Sequence, residues 1–410
     1  MQRVRVFLVI SLLLRTHTTM ADDAAVLPKG VWRVGAEARF SLPITKRFTA
    51  DGGTEDLAAD FNRELDSTVF PDLQRVETAF RLPAGSATFG RSTVDFERHI
   101  QIYTVQAAYG LTDRLALGLR IPYWTQQNTV KATLDSRTAT VGFNPAVPGG
   151  VAPLRVPGTR PPTTEDIQAA VERLGFRRVE DWSDAGFSDL FGGLKYQYYR
   201  SAHWRLAVSG NVRFPTGRWD DPNNLVDYPT GFEAWGLGLQ MHQDFVWHTP
   251  SGAPRGGVLA AGGVVLNTTF RYEAILPDTK PFRVCNVHQP LCPDFDPQVH
   301  RDVGDILEAE VAGTVGLLPG LTLTPQYIYT HKFQDHFRGD LGFQYGQLKA
   351  ETDTDSHSLE VRLAYSTASL FAAQRFPVPL SVAVRYVERL ASTNNRLQTR
   401  YVGFTIAGSF

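Results

Sequence analysis

The sequence predicts an all-β fold: a single transmembrane, up-and-down antiparallel β-barrel of about twelve strands. Three observations carry this prediction. Runs in which apolar residues alternate with small or charged residues recur along the chain, the links between the runs are in most cases alternately short and long, and the last run ends at the final residue, Phe410. Alternation with a period of two indicates strands with one apolar face. Short periplasmic turns and long extracellular loops are typical of outer-membrane barrels.

Composition narrows the class of protein. The chain has 410 residues, of which 43% are hydrophobic and 20% charged, and its mean hydropathy is -0.19. This composition excludes a disordered chain, and no apolar run approaches the roughly 20 residues that a membrane-spanning helix needs. The formal net charge of -1 gives no electrostatic reason to expect a nucleic-acid partner.

The N-terminus has the pattern of an export signal. Arg3 and Arg5 precede the short apolar run 6–14, and Thr19 and Ala21 supply small residues around a cleavage point. A charged region, an apolar region and a small-x-small site together indicate a secretory signal. We therefore predict a signal peptide at 1–21, a single barrel domain at 22–410 and a location in the bacterial outer membrane.

The first half of the predicted barrel contains one strand and two hairpins, separated by long loops. The run 30–43 places Trp32 and Phe40 on one face and Arg33 and Glu37 on the other. A loop at about 44–98 follows, then a hairpin turning at LTDR (111–114), a loop at about 126–185 and a hairpin formed by GFSDLFGGLKYQYYR and HWRLAVSGNVRFPTG. Within the loops, TEDLAADFNREL and TTEDIQAAVERLGF predict short helices.

The second half supplies three more hairpins and the closing strand. The runs in order are GFEAWGLGLQMHQDFVWH with GVLAAGGVVLNTTFRY, ILEAEVAGTVGL with LTLTPQYIYTHKF, and SHSLEVRLAYS with LSVAVRYVERL. A third long loop lies at about 274–302. The closing strand ends in Phe410 and must pair with the first strand to complete the wall. Proline residues at 43, 122, 215 and 277 are predicted to end odd-numbered strands, because proline cannot donate to a central ladder.

Two cysteines, Cys285 and Cys292, lie close together in the third loop. In an exported chain this spacing predicts a disulfide that closes the loop. A metal site would recruit neighbouring histidine and aspartate residues, but the spacing matches no zinc pattern. No metal or other cofactor is expected.

Charged residues occupy the second face of the predicted strands. In a soluble all-β array such as a propeller they would need exposed faces, and the links would have similar lengths. In a barrel they line a wet interior and pair across strands. The predicted lumen-lining residues are Arg33, Glu37, Arg39, Arg120, Lys195, Arg205, Arg213, Glu308, Glu310, Glu360, Arg362 and Arg385.

The segments YGLTDRLALGLRIPYW, GFSDLFGGLKYQYY and VRFPTG resemble a group of outer-membrane proteins assigned to phenol-degradation pathways (the MetA pathway) or to transport. The resemblance covers about 103–217 and the terminal strand, and its motifs largely encode barrel hairpins. It implies an outer-membrane barrel whose substrate is a hydrophobic or aromatic compound. It assigns no binding residue.

Three functions are compatible with the pattern. The first is passive uptake or efflux of a small solute, with anions favoured by the basic-leaning inward set. The second is a structural or surface-interaction barrel whose lumen is filled by charge pairs. The third is a membrane-embedded lipid-acting hydrolase, for which His242 and Asp244 share a face without an evident serine, and we expect no enzyme. The expected partners are outer-membrane lipid and lipopolysaccharide, the barrel-assembly machinery and a small-molecule solute.

Overall fold

The structure is a computed structural model that describes residues 23–248, 259, 261–284, 291 and 294–410. The predicted signal peptide lies outside the described residues, and so does the predicted disulfide between Cys285 and Cys292.

Within the described chain, twelve strands form a closed antiparallel barrel in which each strand pairs with the next and the last pairs with the first. This confirms the predicted fold class. The strands are β1 (Trp32–Ser41), β2 (Thr88–Thr112), β3 (Leu115–Asp135), β4 (Leu190–Arg200), β5 (Trp204–Phe214), β6 (Gly236–His248), β7 (Val264–Ile275), β8 (Ile306–Leu318), β9 (Leu321–Lys332), β10 (Thr354–Ser366), β11 (Leu380–Ser392) and β12 (Arg400–Ser409).

The chain termini close the wall. Strands β1 and β12 pair from Arg33 opposite Ser409 to Ser41 opposite Tyr401. At the rim, the Trp32 N–H donates to the Phe410 carbonyl at 2.8 Å and the Phe410 N–H donates to the Trp32 carbonyl at 2.9 Å. The final residue is therefore held by the first strand, as the closing-strand prediction requires.

The outer face of the wall is apolar and aromatic. Outward side chains such as Leu239 and Ile406 are 56% and 52% exposed, as expected for a surface that lipid covers. Aromatic pairs mark both rims: Trp32 and Tyr109 at the short-turn end have ring centroids 4.7 Å apart, and Phe40 and Tyr103 at the other end 6.2 Å. Among the helices of the described residues, none combines the length and apolarity that crossing a membrane requires.

The hairpin of β2 and β3 is longer than predicted. The two strands pair continuously from Thr112–Leu115 to Arg91–Asp135, so the predicted loop bounds 44–98 and 126–185 are wrong where they include strand residues. The prediction that Pro122 ends a strand is also wrong. Proline is tolerated there because the ladder between β3 and β4 has already ended at the pair Arg120–Phe191, which leaves no donor required on that side.

The long loops contain further short elements. The helices are α1 (Asp72–Phe80), α2 (Thr164–Arg173) and α3 (Ala368–Ala372), with 3-10 turns at Ser136–Thr138 and Tyr345–Gln347. The predicted helix in TTEDIQAAVERLGF is confirmed by α2, whereas the one in TEDLAADFNREL is wrong. The loop strands are Lys46–Phe48, Thr54–Asp56, Glu64–Asp66, Val141–Phe143, Val151–Pro153, Trp182–Phe187, Asp278–Arg283, Phe295–Asp302 and His336–Arg338. The predicted loop at 274–302 therefore holds most of a small sheet of its own.

Two of these loops fold into a layer on the part of the β2–β3 hairpin that extends past the end of the β3–β4 ladder, which we call the projecting hairpin. We call the layer the cap; it comprises residues 44–98 and 126–181. Its buried apolar cluster joins Phe70 and Leu73, next to and within α1, to Phe89 on β2 and to Ala170 and Val171 on α2. The Phe70 and Phe89 rings meet edge to face with centroids 5.6 Å apart. The cap thus has a hydrophobic core that is separate from the barrel wall.

The N-terminus of α2 carries a capping box with an added ion pair. Thr163 accepts from the Asp166 N–H at 3.3 Å, and the Asp166 carboxylate accepts from the Thr163 N–H at 2.9 Å. Arg160 donates to both carboxylate oxygens at 2.6 and 2.7 Å. The Arg160 bonds, followed by those from Thr163, hold the pKa of Asp166 well below its usual range.

We expect the capping box of α2 to lose its stabilising effect in acid. A folded-state pKa below the unfolded value of about 4 means that the contribution is complete above that pH and is lost as the pH falls towards the folded pKa. Asp166→Asn should therefore reduce hydrogen-exchange protection of α2 by about 1 kcal/mol at neutral pH and by less at pH 3. The measurement compares variant and wild type at each pH, so intrinsic exchange cancels. A difference that grew in acid would contradict the sign.

Candidate functional site: the barrel interior

The structure places all twelve predicted lumen-lining residues on the inner face of the wall. On each strand they alternate with exposed apolar side chains, as Arg33 and Val34 do on β1. The buried members are Glu37, Arg39, Arg213, Glu308, Glu310, Glu360 and Arg385. The half-buried members are Arg33, Arg120, Lys195, Arg205 and Arg362.

One charge network joins β1 to β10 and β11. Glu37 contacts Arg39 on its own strand, and the Arg385 Nη2 lies 3.3 Å from the Glu37 Oε2. The Arg385 Nη1 lies 3.6 Å from the Glu360 Oε1. Gly403 of β12 lies between the two arginine stems, where a Cβ would meet the Arg385 Cγ at 2.8 Å. This glycine therefore makes room for two guanidinium side chains near the barrel seam.

A second network lies at the long-loop end of the interior. The Arg213 Nε donates to the Glu273 Oε1 at 2.7 Å, and the Arg213 Nη1 lies 3.3 Å from the Asp189 Oδ2. The centroid of the Phe191 ring lies 4.4 Å from the guanidinium carbon of Arg120 and 4.7 Å from the guanidinium carbon of Arg213. Cations over an aromatic face are attracted by the ring quadrupole. Phe191 is thus a wall residue between two cationic groups.

Sequence reasoning missed three residues of this region. Glu273 and Arg271 alternate along β7, and Arg271 lies 3.6 Å from Glu308 of β8. The spacing in FRYEA could have identified both, because they share one strand face. Asp189 lies just before β4 in a link, and its role arises from contacts distant in sequence.

A segment crosses the long-loop end of the interior; we call it the mouth segment (residues 216–235). The Gln126 Nε2 donates to the Tyr228 carbonyl at 2.9 Å, and the Arg98 Nη2 donates to the Val226 carbonyl at 3.0 Å. Its other side is anchored by Asp189, which accepts from the Gly217 and Phe232 N–H groups at 3.0 and 2.7 Å. This link between β5 and β6 therefore folds inward.

At the opposite end, residues 23–30 enter the barrel; we call them the strap. The Ala24 N–H donates to the Asp244 Oδ1 of β6 at 2.9 Å, and the Gln197 Nε2 of β4 donates to the Ala24 carbonyl at 2.6 Å. Lys195 donates to the Asp23 carbonyl and lies 3.6 Å from its carboxylate. Ala24 is fully buried.

The strap is fixed to the wall where it meets β1. The Gly30 N–H donates to the Gly110 carbonyl at 2.8 Å, and the Gly110 N–H donates to the Val31 carbonyl at 3.0 Å. A Cβ at Gly110 would lie 2.0 Å from the Pro28 carbonyl oxygen, so glycine is required for this close approach. The strap therefore runs from the β1–β2 rim across the short-turn end to β4 and β6.

A cavity of about 200 Å³ lies beside the strap, between the inner faces of β1 to β7. Ala25, Val26 and Leu27 of the strap line one side. Four cationic residues and one anionic residue contribute to the remainder, together with apolar groups such as Phe191: Arg33, Arg120, Lys195, Arg271 and Glu273. The Asp23 and Glu308 carboxylates lie 3.6 Å from Lys195 and Arg271, which reduces the positive excess without removing it. A net positive charge in a partly enclosed space raises the local concentration of anions.

The interior also contains a serine and histidine in contact. The Ser209 Oγ lies 2.8 Å from the His242 Nε2, and the His242 Nδ1 lies 3.4 Å from the Thr269 Oγ1. Sequence reasoning found no serine for His242 because Ser209 belongs to the neighbouring strand. Asp244 accepts hydrogen bonds from Asn267 at 2.8 Å and from the strap, so the structure uses this carboxylate to hold the strap.

The described residues contain no group of three or more histidine, cysteine, aspartate or glutamate side chains arranged to hold a metal ion. Cys285 and Cys292 are not among the described residues.

No family model matches the chain, and no curated protein matches it in sequence. Among solved structures, it is similar to the COG4313 outer membrane channel from Pseudomonas putida F1, with a TM-score of 0.52 and 12% identity over 95% of this chain and 98% of that chain. A weaker likeness is to the translocator domain of the autotransporter NalP from Neisseria meningitidis, with a TM-score of 0.34 and 7% identity over 94% of this chain and 89% of that chain. Another is to a TodX deltaS2S3 mutant monoaromatic hydrocarbon channel, with a TM-score of 0.35 and 9% identity over 93% of this chain and 91% of that chain. The first of these likenesses extends over nearly the whole of both chains, and the chain has the fold of an outer-membrane β-barrel.

Proposed function

We propose that this protein is a bacterial outer-membrane channel for the passive passage of small anionic solutes. The observation that carries the proposal is the cavity beside the strap, whose lining holds four cationic residues and one anionic residue. Rings of charged side chains set the selectivity of membrane pores. The first solved structure compared with this chain is described as an outer membrane channel, which agrees with a channel role.

The lining also fits a solute with an apolar body. Phe191, Leu27 and Val26 face the same cavity as the cationic residues. A small aromatic carboxylate would place its charge against the guanidinium groups and its ring against these side chains. This is the class of compound that combines the charge of the lining with the hydrophobic or aromatic substrates implied by the sequence resemblance.

The same proposal predicts the orientation of the barrel in the outer membrane and its partners there. The apolar belt would contact outer-membrane lipid and lipopolysaccharide, with the short turns on the periplasmic side and the cap outside. Phe410, at the end of the closing strand, would be presented to the barrel-assembly machinery during insertion. Export would use the signal at 1–21.

Reversal potentials in planar bilayers test the anion preference. In a salt gradient the wild-type protein should conduct anions in preference to cations, and Arg120→Gln should move the permeability ratio towards unity because it removes one of the four cationic groups at the cavity. The control is Arg137→Gln, since the Arg137 side chain is 89% exposed on the cap; its ratio should equal that of the wild type. An unchanged ratio for Arg120→Gln would contradict the anion preference.

The same preparations decide between a channel and its alternatives. Absence of conductance and of solute flux, both in the wild type and in the double variant Gln197→Ala with Asp244→Ala, which removes two hydrogen bonds to the strap, would favour a structural barrel with a filled interior. Labelling by a fluorophosphonate that is lost in Ser209→Ala would favour a hydrolase built on Ser209 and His242. We expect conductance and no such labelling.

A further inference from the structure

A second cavity, of about 90 Å³, lies inside the cap. Most of its walls come from the cap: Phe61, Leu65 and Phe70 from the first loop, Ala132 and Leu134 from β3, and residues of α2 that include Val171. Leu225 of the mouth segment and Leu291 of the third loop complete the lining. It shares no lining residue with the cavity beside the strap. We propose that this cap cavity is a binding site for a single-ring apolar molecule of the benzene class.

The polar residues around the cap cavity are already engaged with protein groups. Gln168 donates to the Val179 carbonyl at 2.8 Å and accepts from the Val179 N–H at 2.9 Å. The Asp60 carboxylate accepts from Arg47 at 2.5 Å, and the Thr164 hydroxyl accepts from the Leu134 N–H at 3.1 Å. Arg63 donates to the Thr68 hydroxyl at 3.0 Å, and the Thr133 hydroxyl donates to the Thr93 carbonyl at 3.2 Å. Ser92 also lines the cavity, but apolar side chains form most of the surface that faces it.

This chemistry selects an apolar guest over water. A water molecule in a cavity needs two to four polar partners, and apolar cavities without them stay dry and accept benzene or xenon. A guest with an apolar surface is removed from water and gains dispersion contacts with the lining side chains.

The volume of the cap cavity further limits which guest it can hold. The volume is below that of the roughly 150 Å³ apolar cavity known to hold benzene in another protein, so a single unsubstituted ring with some relaxation of the walls is the upper limit. An acyl chain or a multi-ring compound would extend beyond this space towards solvent. The partly open surroundings of α2, where Ile167 is only half-buried, provide a short route from solvent.

The site shares no lining residue with the cavity of the proposed function, although Leu225 of the mouth segment borders it. Its floor is the projecting hairpin, where Val94 of β2 is paired with Ala132 of β3, beyond the stretch in which β3 pairs with β4. Binding there therefore does not require an open channel, and the inference stands or fails independently of conductance.

Binding can be measured with fluorobenzene by ¹⁹F NMR on the full-length protein in detergent micelles, after subtracting partition into empty micelles. We expect saturable binding by the wild type. Ala132→Phe should abolish it because the new ring occupies the cavity, and Val171→Thr, which has nearly the same shape, should weaken it about tenfold because a hydroxyl then faces the guest. Ala108→Phe is the matched control: it makes the same substitution at the other cavity and should retain the affinity.

Three results would overturn the proposal. They are non-saturable partition in the wild type, equal loss of binding in Ala132→Phe and Ala108→Phe, and displacement of fluorobenzene by long-chain alkanes with no displacement by benzene. Val171→Thr keeps the test decisive if Ala132→Phe fails to fold, because unchanged affinity in that variant would also contradict an apolar cap site.

Discussion

Releasing the strap should increase conductance through the barrel. In the double variant Gln197→Ala with Asp244→Ala, the Ala24 carbonyl and N–H both lose their partners on the wall. A neutral hydrogen bond contributes about 1 kcal/mol and one to a charged group about 2 kcal/mol. A loss of about 3 kcal/mol corresponds to a roughly hundredfold rise in the population with a displaced strap. Single-channel recordings should show more frequent or larger openings.

The control for this experiment is Arg137→Ala. The Arg137 side chain is 89% exposed on the cap and lines neither the strap nor its cavity. Its conductance should match the wild type. Exchange of the Ala24 amide gives an independent measure of strap release. If that exchange accelerates in the double variant while conductance stays the same, the strap does not obstruct the path.

Glu37, Arg39, Glu360 and Arg385 form the charge network near the barrel seam, which we call the seam network. Breaking it should destabilise the barrel more than any surface substitution. Glu37→Gln leaves the guanidinium groups of Arg39 and Arg385 buried beside a neutral amide. Removing one partner of a buried ion pair costs about 3–5 kcal/mol. Because the Glu360 carboxylate still lies 3.6 Å from Arg385, the loss should lie towards the lower end of this range. The free energy of unfolding in urea, followed by the heat-modifiable shift on gels, should fall by an amount in this range.

Glu97→Gln is the matched substitution on an exposed pair. The Glu97 side chain is 45% exposed and contacts His99 at 2.6 Å, and exposed pairs contribute at most about 1 kcal/mol. A second change supplies a further check: Arg385→Met added to Glu37→Gln should recover part of the lost stability, because it removes the excess positive charge and leaves the Glu360 carboxylate to balance Arg39. Equal destabilisation by Glu37→Gln and Glu97→Gln would contradict a structural role for the seam network.

The barrel could be predicted because its signals are local. Alternation along β1 places Arg33 and Val34 on opposite faces whatever the rest of the chain does, since successive side chains of a strand point to opposite sides. The same reasoning placed all twelve charged residues on the inner face. It missed Arg271 and Glu273 although their spacing carries the same signal.

The loops were harder because their elements depend on distant partners. Helix α2 lies in a segment predicted to be helical, and its capping residues Thr163 and Asp166 act within one turn. In TEDLAADFNREL, by contrast, Arg47 binds Glu55 and Asp60 at 2.9 and 2.5 Å. These contacts from outside the segment favour an extended and turning chain over a helix. The length of the β2–β3 hairpin likewise depends on the cap that packs against it.

The sequence by itself determined the closed wall, its apolar exterior, its charged interior and the closing position of Phe410. Only the tertiary structure decided what occupies the interior: the strap held by Asp244, the mouth segment held by Asp189, and the pair of Ser209 with His242. The physical reason is the range of the interactions. A strand's faces follow from neighbouring residues, whereas each of these contacts joins groups that are distant in the sequence and meet only when strands and links pack together.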